Sequence, residues 1–166
     1  MTATAAVAAS GIGTASKTGA APLRLQIIWC LPRQAASVSM VRHLLDAALA
    51  VIGVADDCCA DIALALTEAC ANAVRYAHGS DEYRVTVIAD PDQCVIEVID
   101  GGVGLDHEHL DRAGIDRDLR QVTNAHGRGL PIIRAVTDGV ELRPAQPHGL
   151  AIRMIKNLIW ATDAPA

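Results

Sequence analysis

The sequence predicts an α/β (α+β) fold in which a mixed, mainly antiparallel sheet packs against helices on one face, as a two-layer sandwich. Two pairs of β-rich segments are each separated by a short connection, and such hairpins favour antiparallel pairing. Two long segments have apolar residues at helical spacing, and their apolar sides need a sheet face to cover them. At 166 residues, the chain is long enough for one domain with its own core.

The first half of the chain predicts one strand and two helices. Residues 23–31 are apolar with partial alternation and lie between two prolines, as is typical of a strand. Apolar residues then recur at helical spacing over 37–51. After a break near Gly53, a second helix is predicted over about 56–77, with acidic residues in its first turn as the helix dipole favours.

The second half predicts two hairpins around an irregular segment. Residues 83–89 and 94–99 are β-rich and separated by a short turn, so they form the first hairpin. A long charged stretch, residues 105–126, follows; loops of this length are usually functional lids or disordered. A helix over 127–136 begins at a glycine pair, and strands over 140–143 and 150–155 close a domain that spans residues 23–160.

Composition excludes several classes of function. Residues 1–22 have little large apolar surface and predict a disordered N-terminal tail. The net charge of −5 and the scarcity of aromatic residues argue against direct nucleic-acid binding. No apolar run is long enough to span a membrane and the N-terminus lacks a signal-peptide pattern, so we expect a cytoplasmic protein. The five cysteines have no CxxC spacing and are expected to be reduced core thiols.

The most informative feature is a pair of polar residues in the second helix. Glu68 and Asn72 lie four residues apart, and therefore on one helical face, within the apolar stretch LALTEACANAVRY. Mg²⁺ commonly takes only one or two protein oxygens besides phosphate oxygens, and the Asn72 carboxamide could be such a ligand. Glu68 would then lie beside the metal-bound phosphate and could accept a proton from a hydroxyl or a water.

Two glycine-rich loops follow this helix. The first is DGGVG, in which Asp100 ends a strand and could accept a hydrogen bond from an adenine amino group. Gly102 and Gly104 would let the backbone pass close to the base and the sugar. The second is GRGL, in which Gly127 and Gly129 begin a helix whose N–H groups and dipole favour phosphate. Arg128 could contact phosphate or remain solvated, and the sequence leaves both possibilities open.

Together these segments resemble the GHKL ATPase superfamily. Glu68 and Asn72 are like its N box, Asp100, Gly102 and Gly104 are like its G1 box, and Gly127 and Gly129 are like its G2 box. The resemblance covers about residues 24–157. The phrases LTEACANAVRYA and GRGLPIIRAVTD, and the short length, are most similar to the anti-sigma factor serine kinases of bacterial partner-switching pathways.

The resemblance implies a Bergerat-type ATP site. In it Asn72 would hold Mg²⁺, Asp100 would recognise adenine, and residues 127–130 (Gly127, Arg128, Gly129 and Leu130) would line the phosphates beneath a lid over 105–126. Glu68 would be the general base. The resemblance also implies a homodimer that binds a sigma factor and phosphorylates a serine of a small anti-anti-sigma antagonist.

One departure from the family pattern leaves an alternative open. The last hairpin reads HGLA at 148–151, where relatives often have a Gly-Thr pair, so a phosphate-contacting hydroxyl is missing. The alternative is a catalytically weak or inactive ATP-binding module that only sequesters its partner. The architecture disfavours a sensor histidine kinase and a multidomain GHKL ATPase. A domain without any ligand is the least favoured, because it would require three coincidental polar and glycine clusters in the correct order.

Overall fold

The computed structural model describes residues 5–7, 25–77, 79–102, 129–145 and 148–161. Six strands and three helices occur in this part of the chain. In chain order they are β1 (Ala5–Val7), β2 (Leu25–Pro32), α1 (Ala35–Val51), α2 (Asp56–Tyr76), β3 (Glu82–Ala89), β4 (Gln93–Asp100), α3 (Gly129–Val136), β5 (Gly139–Pro144) and β6 (Leu150–Asn157).

The strands form one sheet in the order β1-β2-β3-β4-β6-β5, and every pairing between them is antiparallel. Exposure alternates along the strands: in β3 the side chains of Tyr83, Val85, Val87 and Ala89 are buried, whereas their neighbours on the other face are more exposed. The helices therefore cover one face of the sheet, which confirms the predicted two-layer α+β architecture.

The two long helices follow the predicted pattern with small shifts at their ends. Helix α1 begins at residue 35 rather than at 37, because the extended backbone of Gln34 forms the N-cap and its carbonyl accepts a hydrogen bond from the Ser37 hydroxyl. Helix α2 has Asp56 and Asp57 in its first turn, as the helix dipole favours.

The core is aliphatic, as its composition requires. Leu45, Leu49, Ile62 and Leu66 are fully buried between the long helices and the sheet. Four of the five cysteines are buried, as predicted for core thiols, but Cys30 is exposed. The prediction was wrong for Cys30 because it lies at an alternate position of β2, between two buried residues, and so faces away from the helices.

Two predicted segments are described only in part or not at all. Within the predicted disordered tail, the backbone of β1 pairs with β2, from Ala5 opposite Trp29 to Val7 opposite Ile27. The boundaries of the tail and of the domain stay predictions. The predicted lid over 105–126 lies outside the described residues.

Candidate functional site

Helix α2 presents Glu68 and Asn72 on one face, beside the stripe that packs into the core. The stripe consists of Ile62, Leu66, Ala69 and Ala73, which are all buried. Asn72 is itself only 7% exposed, and Glu68 is partly exposed. Within the described part of the chain, no residue hydrogen-bonds to the Asn72 amide or to the Glu68 carboxylate. The Asn72 amide atoms are not among the fully buried atoms of the described residues that lack a hydrogen-bond partner, so they keep accessible surface. The amide and the carboxylate are therefore both open to a ligand.

The N-terminus of α3 lies directly against this pair. A methyl group added at Gly129 would be 3.1 Å from both the Asn72 Nδ2 and the Glu68 Oε2 atoms, and 3.3 Å from the Asn72 Oδ1 atom. The backbone N–H groups of a first helical turn have no partner within their own helix and attract anions. The fold therefore brings two of the three sequence segments together, with a carboxylate, a carboxamide and a helix N-terminus in contact.

The carboxylate of Asp100 is held by two backbone donors. Its Oδ1 atom accepts hydrogen bonds from the N–H groups of Gly102 and Leu150, each at 3.1 Å. One donor comes from the loop after β4 and the other from the first residue of β6. Both use Oδ1, so the carboxylate is oriented while no donor from the described residues occupies Oδ2.

Gly102 allows close packing against α2, whereas the sequence suggested that it allows close approach to a ligand. A methyl group there would lie 2.8 Å from the Cα atom of Ala77, just after the end of α2, and 3.3 Å from the Asp100 Oδ1 atom. The absence of a side chain lets the loop after β4 pack on the end of α2. This contact fixes the third segment against the helix that carries Glu68 and Asn72.

Gly149 belongs to the site, although the sequence interpretation did not assign it a role. Its φ angle is +111°, which L side chains rarely adopt, and a methyl group there would lie 1.9 Å from the carbonyl oxygen of Asp100. The HGLA segment thus supports Asp100 through its backbone. A glycine immediately before the last strand was the available signal, but the interpretation considered only the missing hydroxyl.

Three predicted site residues lie outside the described residues: Gly104, Gly127 and Arg128. Leu130 is described, and its side chain is 1% exposed within the hydrophobic core. Only the backbone of Leu130 can therefore face a ligand. Its side chain instead anchors the first turn of α3 to the domain.

The donor set fits a hard cation that keeps most of its waters. Among the residues that the structure describes, no group of three or more His, Cys, Asp or Glu side chains could hold a metal ion. Such an ion would instead take oxygen from Asn72, with Glu68 nearby, and from phosphate. This is the coordination habit of Mg²⁺ rather than of Zn²⁺, which needs several nitrogen or sulfur ligands.

The thiol nearest in sequence to the pair plays no part in this chemistry. Burial raises the pKa of the Cys70 thiol to about 12, so the thiol remains protonated. Cys70 faces the core, where the Tyr83 hydroxyl also lies, at 2.8 Å from the Ser37 hydroxyl oxygen. A nucleophilic cysteine is therefore excluded at this position.

Comparison with known proteins agrees with the geometry. Residues 31–156 match the family described as the histidine kinase-like ATPase domain. This chain belongs to that family. It is also 27% identical over 131 residues to "Serine-protein kinase RsbW" of Bacillus cereus, with 76% of this chain and 81% of the relative covered. A protein of the same name from Bacillus thuringiensis subsp. konkukian is 26% identical over the same coverage.

In the described part of the chain, none of the helices combines the length and the apolar character of a transmembrane segment.

Proposed function

We propose that this protein is an anti-sigma factor serine/threonine kinase. It would bind Mg-ATP, sequester a sigma factor as a cytoplasmic homodimer, and phosphorylate a serine of an anti-anti-sigma antagonist. Membership of the ATPase family and similarity to serine-protein kinases support this proposal. The observation that carries it is the contact of Gly129 with the Glu68 and Asn72 side chains, neither of which hydrogen-bonds to another described residue.

The proposal assigns each segment a part in nucleotide binding. Asp100 would accept a hydrogen bond from the adenine amino group at its Oδ2 atom, since both backbone donors use Oδ1. Asn72 would ligate Mg²⁺ through its amide oxygen. The backbone of residues 127–130 and the dipole of α3 would bind phosphate oxygens, and Arg128 would add a positive charge there.

Phosphoryl transfer needs a base near the phosphates, and Glu68 is the candidate. The serine oxygen would form a bond to the γ-phosphorus while the bond from that phosphorus to the ADP oxygen breaks. Glu68 would accept the proton of the serine hydroxyl, and ADP would leave with the electron pair. When bound, Mg²⁺ supplies charge neutralisation on the phosphate oxygens.

The second candidate is a module that binds ATP and a partner without efficient transfer. It is favoured by the HGLA segment at 148–151, where relatives often have a Gly-Thr pair and therefore a hydroxyl that this chain lacks. The Leu150 N–H still holds Asp100, so the orientation of Asp100 does not depend on the missing hydroxyl. Its side chain, however, cannot donate a hydrogen bond to phosphate.

A transfer assay separates the two candidates. Purified protein is incubated with γ-labelled Mg-ATP and an anti-anti-sigma antagonist from the same organism, and labelled phosphoserine is measured. The proposal predicts labelling by wild type, loss of at least about 100-fold for Glu68→Gln, and unchanged labelling for Asp57→Asn. Asp57 is the matched control because it is an exposed acid in the first turn of the same helix.

The possible results assign the function. Loss of labelling in Glu68→Gln with retained ATP binding supports the kinase. Absence of labelling by wild type that binds both ATP and sigma factor supports the sequestering module. Equal labelling by wild type and Glu68→Gln contradicts the role of Glu68 as the base.

A further inference from the structure

Helix α3 is short and depends on other elements for its position. It has eight residues, fewer than an isolated helix needs for stability in water. Its N-terminal residue, Gly129, lies against Glu68 and Asn72. At the other end, Lys156 donates a hydrogen bond to the Val136 carbonyl and another to Asp61, and so links the end of α3 to α2. Helix α3 therefore lies antiparallel to α2, with a contact near each of its ends.

The contact at the C-terminal end is made by Lys156 of β6. Its Nζ atom donates to the Asp61 Oδ2 atom at 2.6 Å and to the Val136 carbonyl at 2.9 Å. The Lys156 side chain is only 16% exposed. A cation at this position also complements the negative end of the α3 dipole.

The charge of Lys156 is maintained by its partner. The hydrogen bond to Asp61 raises the pKa of Lys156 more than burial lowers it. The ammonium group is therefore charged at neutral pH and keeps donating to both helices. One side chain thus connects β6, α2 and the end of α3.

The clearance at the other end of α3 is small. The space at Gly129 is already tighter than an ordinary contact for an added methyl group, with Glu68 and Asn72 oxygen and nitrogen atoms 3.1–3.3 Å away. A displacement of α3 along α2 by a fraction of an ångström would change how its N–H groups face those two side chains. Catalytic and binding geometry is sensitive to displacements of this size.

We propose that Lys156, anchored by Asp61, is a positioning residue that sets α3 along α2 and thereby places the α3 N-terminus against Glu68 and Asn72. The inference rests on the proposed nucleotide-binding function. Asp61 lies two helical turns from Glu68, roughly 10 Å along α2, and neither Asp61 nor Lys156 is among the residues assigned to nucleotide binding. Lys156 therefore acts on nucleotide affinity only through the position of α3.

The test compares Lys156→Met with Arg153→Met. The second substitution is the matched control, because Arg153 is also on β6 but pairs with Glu141, in a more exposed contact at 3.5 Å. Binding of Mg-ATP is measured by isothermal titration, and amide hydrogen exchange of the peptide covering residues 129–136 is measured without nucleotide. We expect about 3- to 10-fold weaker binding and faster α3 exchange for Lys156→Met alone, with partial recovery in Lys156→Arg.

Each result supports or overturns the inference. Equal Mg-ATP affinity of folded Lys156→Met and wild type overturns it, as does an equal loss in Arg153→Met. If wild type does not bind Mg-ATP, the proposed function fails, but amide exchange still tests the anchoring of α3. Unchanged exchange of residues 129–136 in Lys156→Met overturns the anchoring, whereas faster exchange in Lys156→Met alone supports it. Should Lys156→Met not fold, Asp61→Asn removes the charge of the anchor, and the same comparison applies.

Discussion

Replacement of Gly129 by alanine should have opposite effects on stability and on nucleotide binding. The backbone at Gly129 does not have a positive φ, so alanine is compatible with it. Alanine is favoured over glycine by about 1 kcal/mol in a helix interior and by less at the first residue, where Gly129 lies. The melting temperature should therefore rise by no more than about 2–4 °C for a domain of this size. On helix propensity alone, Gly129→Ala should therefore be as stable as wild type or slightly more stable.

The same methyl group would interfere with the two ligand-bearing side chains. At 3.1 Å from Glu68 Oε2 and Asn72 Nδ2, it forces these neighbours to move by a few tenths of an ångström. A shift of both groups that costs about 1.4 kcal/mol of binding free energy weakens Mg-ATP binding about tenfold. Isothermal titration measures the affinity, and thermal unfolding measures the stability of the same preparations.

Gly139→Ala is the control for this prediction. A methyl group at Gly139 meets only Ile155 atoms at 3.6 Å or more, which is ordinary contact, and the backbone there also lacks a positive φ. We expect Gly139→Ala to bind Mg-ATP as wild type does. Wild-type affinity in Gly129→Ala would refute the assignment of this contact as the nucleotide site, whereas a loss of both stability and binding would indicate a general packing defect.

Three further predictions concern the support of Asp100 and the buried thiols. Gly149→Ala should lower the free energy of unfolding, measured in urea, by about 3 kcal/mol or more. Gly79→Ala should lower it by only about 1 kcal/mol, because both glycines have a positive φ but only at Gly149 would the methyl group meet Asp100. Equal losses of stability would contradict this prediction. Asp100→Asn keeps an oxygen acceptor for both backbone donors, so its melting temperature should stay close to that of wild type while titration shows at least about tenfold weaker ATP binding; unchanged affinity would contradict the adenine assignment. Burial raises the pKa of the Cys94 thiol from 9.0 to about 12, so the unfolded chain loses that proton first and the free energy of unfolding should fall as the pH rises above 9. Urea titrations at several alkaline pH values should show a smaller fall in Cys94→Ala, and an identical fall would contradict the prediction.

Local patterns predicted the fold and which residues of α2 share one face. The spacing of Glu68 and Asn72 is enough to place both on one helical face, because helical periodicity is a local property. The burial of the stripe at Ile62 and Leu66 follows from the same periodicity. Exposure of Cys30 could have been predicted too, since β2 alternates and Cys30 lies between buried Trp29 and Leu31.

Contacts between distant segments could not be predicted in this way. Asp61 and Lys156 are 95 residues apart, and nothing in either local sequence indicates their pairing. Leu150 was interpreted by its side chain, whereas its contact with Asp100, 50 residues away, uses the backbone N–H, which every residue except proline carries. Such contacts depend on which strands are neighbours in the sheet, and the periodicity within one segment does not specify its neighbours.

The measurement that tests the central claim most directly is isothermal titration of Mg-ATP and Mg-GTP into wild type and Asn72→Ala. Asn72 hydrogen-bonds to no other described residue, so its truncation should leave the fold intact. The account predicts binding of ATP in preference to GTP by wild type, and at least about tenfold weaker Mg-ATP binding by folded Asn72→Ala. Absence of ATP binding by folded wild-type protein, or equal binding by the two proteins, would contradict it.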